Sequence, residues 1–165
     1  MSHSSSTIIA KAVHAVRPVF RLQWEHGIHG VAHWSRVWHH GRHIAQALEV
    51  NADILAWFAF LHDSQRHNDN FDPEHGRRAA DFAVQLRAEG VLTELDDREF
   101  EWLCEAMRLH SDGHTTGELA ICACWDADRL DLGRVGITPQ PERLCTAPSR
   151  APEVILEALR LSGWR

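Results

Sequence analysis

Apolar residues recur along this chain at intervals of three and four, the spacing that gathers them on one side of a helix. Val31 to Glu49 sets Trp34, Val37, Gly41, Ala45 and Leu48 on one face, which predicts a helix with one buried side. Ala52 to about His62 differs, because Ile54, Leu55, Trp57, Phe58, Ala59, Phe60 and Leu61 make it apolar all round. Such a helix belongs at the centre of a domain, and Asn51 supplies a plausible N-cap. An earlier helix is expected from Ile8 to about Gln23, broken or kinked near Pro18. Asp72-Pro73 then starts a fourth, with Asp as cap and Pro at the first helical position. It carries Ala79, Phe82, Ala83 and Leu86 inward and ends at Gly90.

A fifth helix is expected from Asp96–Asp97, burying Phe100, Leu103, Cys104 and Met107. Thr115 and Glu118 have capping-box spacing and open a sixth, to about Leu132. Pro139, Pro141, Pro148 and Pro152 mark an irregular stretch before a last short helix, Glu153 to Leu161. No Asn-Gly or Asp-Gly hairpin separates alternating apolar runs, so strand signals are weak. The expected fold is all-α: one domain over 1–165 of about six to seven helices, with its core at about 30–132 and an irregular segment and short helix at 133–165.

Composition narrows the partners. A net charge of −6 leaves no basic footprint for nucleic acid. A small anion in a locally positive pocket stays compatible with it. Sixteen arginines against the single Lys11 supply planar forks for such an anion, but base composition explains the bias equally well. The opening Met1–Thr7 lacks the basic and apolar regions of a signal peptide, and no apolar run is long enough to span a bilayer. A cytoplasmic protein is therefore expected, with Cys104, Cys122, Cys124 and Cys145 as reduced thiols. Cys122 and Cys124 form a C-x-C pair that no second pair completes into a zinc site. Trp34, Trp38, Trp57, Trp102 and Trp125 are expected in the core.

Thirteen histidines direct attention to position. The apolar third helix ends in His62-Asp63, and a carboxylate at the inner end of a buried helix is costly unless paired or bound to metal. His33 sits in the Trp-rich second helix, and Asp126 and Asp128 sit in the otherwise apolar sixth. Imidazoles and carboxylates together suit a divalent ion of the Mn, Fe, Co, Ni or Zn kind. Taken singly, each residue is equally well a satisfied polar group at a helix end.

The order His, then His-Asp, then Asp within Ala-Asp-Arg-Leu resembles the HD-domain metal-dependent phosphohydrolase superfamily. The matching segments are H-W-S-R-V at 33–37, F-L-H-D at 60–63 and D-A-D-R-L-D at 126–131, bracketing about 100 residues. HGxxHWxRV, HDSxR, DPxHGxRAA and CWDADRLDLGRVGITP are similar, more narrowly, to small bacterial HD proteins without a settled substrate. The resemblance implies His33, His62, Asp63 and Asp128 as ligands of one divalent metal, with Asp126 and Asp131 orienting a ligand or holding an arginine. Relatives with two metals place extra ligands where His75 and His110 stand. Both fall on inward helix faces, either as ligands of a second ion or as proton shuttles beside a single one.

HD nucleotidases and guanosine-polyphosphate hydrolases carry an acidic residue where this chain has Arg66. His-Asp-x-x-Arg instead resembles the His-Asp-x-Gly-Lys of cyclic-dinucleotide phosphodiesterases, in which the basic residue contacts phosphate. Their Gly-Tyr-Pro signature is missing here. The implied activity is hydrolysis of a nucleotide or other small phosphoester by a metal-activated water (Mg is a further candidate ion). Arg66, with Arg36 or Arg129, would stabilise phosphoryl charge, and His75 or His110 would protonate the leaving oxygen. Two other outcomes remain open: a di-iron oxygenase using His33, His62, Asp63, His75, His110 and Asp128, and a non-catalytic nucleotide sensor that keeps the metal.

Overall fold

The computed structural model describes residues 3–163, and among them every regular element is a helix. Seven α-helices follow in order: α1 His3–Val16, α2 Val31–Leu48, α3 Ala52–Leu61, α4 His75–Ala88, α5 Asp97–Leu109, α6 Leu119–Leu130 and α7 Pro152–Leu161. Three short 3-10 turns, Asp131–Val135, Pro141–Arg143 and Pro148–Arg150, lie between α6 and α7. Among the described residues, no helix is long and apolar enough to cross a membrane.

The all-apolar stretch takes the central place expected of it. Ile54 through Leu61 of α3 are all buried, with α1, α2, α4, α5 and α6 packed around them. Asn51 caps α3 by accepting the backbone N–H of Asp53 at 3.0 Å. The amphipathic α2 buries Trp34, Val37, Gly41 and Ala45 as its periodicity predicts. Gly41 lets α2 cross closely, since a Cβ there would press on Leu55 at 3.2 Å. Of the five tryptophans placed in the core, Trp34, Trp38, Trp57 and Trp125 are buried, whereas Trp102 is half-buried beneath the Arg98 guanidinium.

Three boundaries differ from the sequence reading. α1 stops at Val16 instead of running to Gln23, because Pro18 disfavours helical backbone at the residue before it. Phe20 and Trp24, freed from that helix, pack edge-on against Trp34. α4 starts at His75, and the Asp72 carboxylate accepts from His67 N and Arg78 Nη2 instead of capping the helix. α6 starts at Leu119 with Glu118 as its N-cap, leaving Thr115 outside it. α5 has the capping box, formed by Asp96 and Glu99.

Candidate metal centre

The central helix ends at the residues that carry charge. His62 is the C-cap of α3 and Asp63 follows it, so both leave the apolar core at one buried point. His33 approaches from α2, Asp128 from the last turn of α6, His75 from the first residue of α4 and His110 from the C-cap of α5. Four of these positions are helix ends, where backbone carbonyls lack intrahelical partners or the chain turns to begin a helix. Three of the imidazoles bond to backbone carbonyls at these ends. His62 Nδ1 donates to Phe58 O and Ala59 O, His110 Nδ1 to Met107 O, and His75 Nδ1 to Asp72 O. His33 Nδ1 donates to the Asp131 carboxylate at 2.7 Å.

With every Nδ1 engaged as a donor, the four Nε2 atoms point toward one another. His33 Nε2 lies 3.2 Å from His62 Nε2, and His75 Nε2 lies 2.8 Å from His110 Nε2. Two imidazole lone pairs at such a distance repel unless a proton or a metal cation sits between them. A divalent ion fits the first group by its dimensions. Ligand atoms roughly 2.1 Å from a tetrahedral metal stand roughly 3.4 Å apart. His33 Nε2 is 3.3 Å from Asp128 Oδ1 and 3.5 Å from Asp63 Oδ2. His62 Nε2 is 3.4 Å from Asp63 Oδ2 and 3.7 Å from Asp128 Oδ1. Those separations place each carboxylate at ligand spacing from both imidazoles, and the ligand atoms of His33, His62 and Asp128 all lie within 4.8 Å of one another.

Asp63 presents its other oxygen to the second pair. Oδ1 is 3.3 Å from His75 Nε2 and 3.7 Å from His110 Nε2. Two groups therefore hold ligand atoms close enough to share an ion: His33, His62 and Asp128, and His62, Asp63 and His110. Arg66 Nη1 stands beside this second group, 3.1 Å from His75 Nε2 and 3.4 Å from Asp63 Oδ1.

Electrostatics agrees with the geometry. Burial alone would protonate Asp63, yet His62 and its neighbouring imidazoles hold its carboxyl well below the usual range. Asp128 behaves alike, with His33 and His62 outweighing its burial. Burial alone would keep His62 neutral, but Asp63 and Asp128 raise it from 6.5 to about 10. The carboxylates demand positive charge at the imidazole Nε2 atoms, and a proton or a metal satisfies that demand.

Of the surrounding residues, Asp131 is buried, orients His33 and accepts Arg36 Nε at 2.6 Å, the role expected of it. Asp126 takes neither of the roles expected of it. Its carboxylate accepts Cys145 N at 2.7 Å, Thr146 N at 2.8 Å and Thr146 Oγ1 at 2.7 Å, pinning the segment after α6. Arg66 Nε and Nη2 hold the carbonyls of Asn68 and Asn70, so one guanidinium joins the cluster to the following loop.

A cavity of about 300 Å3 opens over the cluster, lined among others by Asp63, Asp128, His75 and His110. Arg66, Arg129 and Arg134 give its wall positive charge, and His29 adds an imidazole whose pKa burial lowers. Arg129 Nη2 is buried without a hydrogen-bond partner, while Nη1 donates to Arg143 O at 2.9 Å. His26 is exposed and stands outside the cavity lining, while His39, His40 and His43 line a different cavity. Sequence reasoning missed Arg134. Its i,i+3 spacing from Asp131 in the 3-10 turn is the available signal, but the reading that ends the sixth helix at about Leu132 leaves Arg134 in the irregular segment.

No family model matches the sequence, and no curated protein matches it. Solved structures do resemble it. A protein of an uncultured Thermotogales bacterium, described as a predicted HD superfamily hydrolase, aligns over 92% of this chain and 84% of its own, with a TM-score of 0.68 and 22% identity. A Lactobacillus plantarum protein aligns over 93% of this chain and 65% of its own, with a TM-score of 0.55 and 24% identity. Likeness at such identity speaks to architecture and leaves chemistry to the site. The chain carries the all-helical HD-type fold.

Proposed function

We propose that the protein is a metal-dependent phosphohydrolase acting on a nucleotide or another small phosphoester. The observation that carries this reading is the convergence of four imidazole Nε2 atoms and two carboxylates beneath an arginine-lined cavity. A divalent ion held by His33, His62, Asp63 and Asp128 would polarise a phosphoryl oxygen and lower the pKa of water. The arginines would receive the phosphoryl group. Arg134 is fixed beside the cavity by bonds to Ile28 O and Asp131 O, and Arg129 is held by Arg143 O through Nη1. Arg66 orients Asp63 and His75 through Nη1. His75 or His110 gives a proton to the departing oxygen as the P–O bond breaks.

The division of Asp63, with one oxygen facing each histidine pair, favours a second reading in which two ions bind. His75 and His110 would then be ligands, and the site would suit either two-metal hydrolysis or a di-iron oxygenase. Elemental mass spectrometry on untagged protein distinguishes these cases. About one Mn, Co, Ni or Zn per chain supports the mononuclear hydrolase. About two irons per chain, with oxygen consumed on reduction, supports the oxygenase. A phosphoester screen with the metal found should give turnover that Asp63→Ala abolishes; full turnover by that variant overturns the assignment.

A further inference from the structure

Beside the cavity over the cluster lies a second one, also of about 300 Å3. Arg66, His75 and Ser111 line both, so the two spaces share a wall at the cluster's edge. The second cavity adds Asn70, Phe71 and Asp112. Phe71 is the most exposed large apolar residue described, at 87%. Single exposed apolar residues are ordinary on protein surfaces. This one differs in how its loop is held. Arg66 holds the carbonyls at 68 and 70, and Asn70 N donates to Asn68 Oδ1 at 2.8 Å. Asp72 Oδ2 accepts both His67 N and Arg78 Nη2, and His29 pairs with Asp69 at 2.8 Å. The backbone before Phe71 and the Asp72 side chain after it are thus tied down while the ring itself faces water.

We infer that this second cavity receives the leaving group of the substrate, and that Phe71 selects a planar aromatic one by stacking. The inference rests on the phosphoester reading above. A phosphoryl group at the cluster would direct its ester substituent past His75 and Ser111, the shared wall. A bare ring on a fixed loop beside that path offers a face to a flat partner, and only the side chain's two torsions are left to order. Asp112 and Asn70, both exposed at the rim, can accept from N–H groups on the edge of such a ring. An alicyclic substituent of equal size gains no such stacking. Phe71 is therefore a specificity-determining residue, and it touches none of the metal-cluster residues through a hydrogen bond.

Benzylphosphonate and cyclohexylmethylphosphonate, which match in size and resist hydrolysis, test this by calorimetric titration into the metal-loaded protein. Inorganic phosphate serves as the probe for the phosphoryl site alone. Wild type should bind the benzyl compound about tenfold more tightly than the cyclohexyl one. Phe71→Ala should erase that preference with metal content and phosphate affinity unchanged, and Phe71→Trp should retain it. Equal binding of the two phosphonates by wild type, or a benzyl preference that survives in Phe71→Ala, overturns the inference and leaves the phosphoester reading standing. Failure of phosphate and both phosphonates to bind overturns the phosphoester reading, and the inference with it.

Discussion

His33 donates from Nδ1 to Asp131, and the same carboxylate holds Arg36 through Nε and Nη2. That arrangement fixes the ring's tautomer and aims Nε2 at Asp63, Asp128 and His62. Asp131→Asn would keep the side chain's shape while weakening both contacts. Metal affinity should fall about 10- to 100-fold, as it does when such outer partners are lost. Competition with a chelator measures it, and an unchanged affinity would refute the orienting role. Asp126 lies five residues earlier in the chain and does different work. Spacing alone could not separate the two, because burial makes both look like site residues. What separates them is the acceptor each meets: an imidazole for Asp131, and backbone N–H groups of Cys145 and Thr146 for Asp126.

At the scale of elements, helix ends bring the cluster together, and close helix approach sets its spacing. A Cβ at Gly76 would collide with the Met107 carbonyl, the same oxygen that His110 Nδ1 uses. Gly76→Ala should therefore push the start of α4 away from α5 and separate His75 from His110. If two ions bind, that variant should keep one of them, read by elemental mass spectrometry; retention of both would show that the α4–α5 contact does not set the site. The segment after α6 depends on Asp126 in a comparable way. Asp126→Ala removes the acceptor of Cys145 N, Thr146 N and Thr146 Oγ1, the last two buried, and should lower stability by about 3 kcal/mol. The urea midpoint should fall while metal stoichiometry stays at the wild-type value. A loss of metal instead would place Asp126 among the ligands.

For the whole molecule, the cluster links folding to protons and metal. His62 rises from 6.5 to about 10 in the fold, so the folded chain binds that proton more tightly than the unfolded chain. Its stabilising effect is fully present below about 6.5 and disappears as pH rises through about 10. Protein stripped with a chelator should lose thermal stability across that window, and the loss should be smaller in His62→Gln. A metal ion would displace the same proton, so metal affinity should climb over the same range. Thermal midpoints with and without metal test both, and a flat profile for the stripped wild type would contradict the coupling.

The sequence by itself determined the helical class, the central place of α3 and the buried faces of α2 and α5, because apolar periodicity records burial directly. It also singled out His33, His62, Asp63, Asp128, His75 and His110, which the fold brings together. Only the tertiary structure decided which oxygen of Asp63 faces which histidine pair, that Arg66 ties the cluster to the Phe71 loop, and that Asp126 pins the C-terminal segment. Those facts depend on contacts between residues as far apart as His33 and Asp131. A local pattern reports which face a side chain takes, whereas its partner across the core is set by how the helices cross.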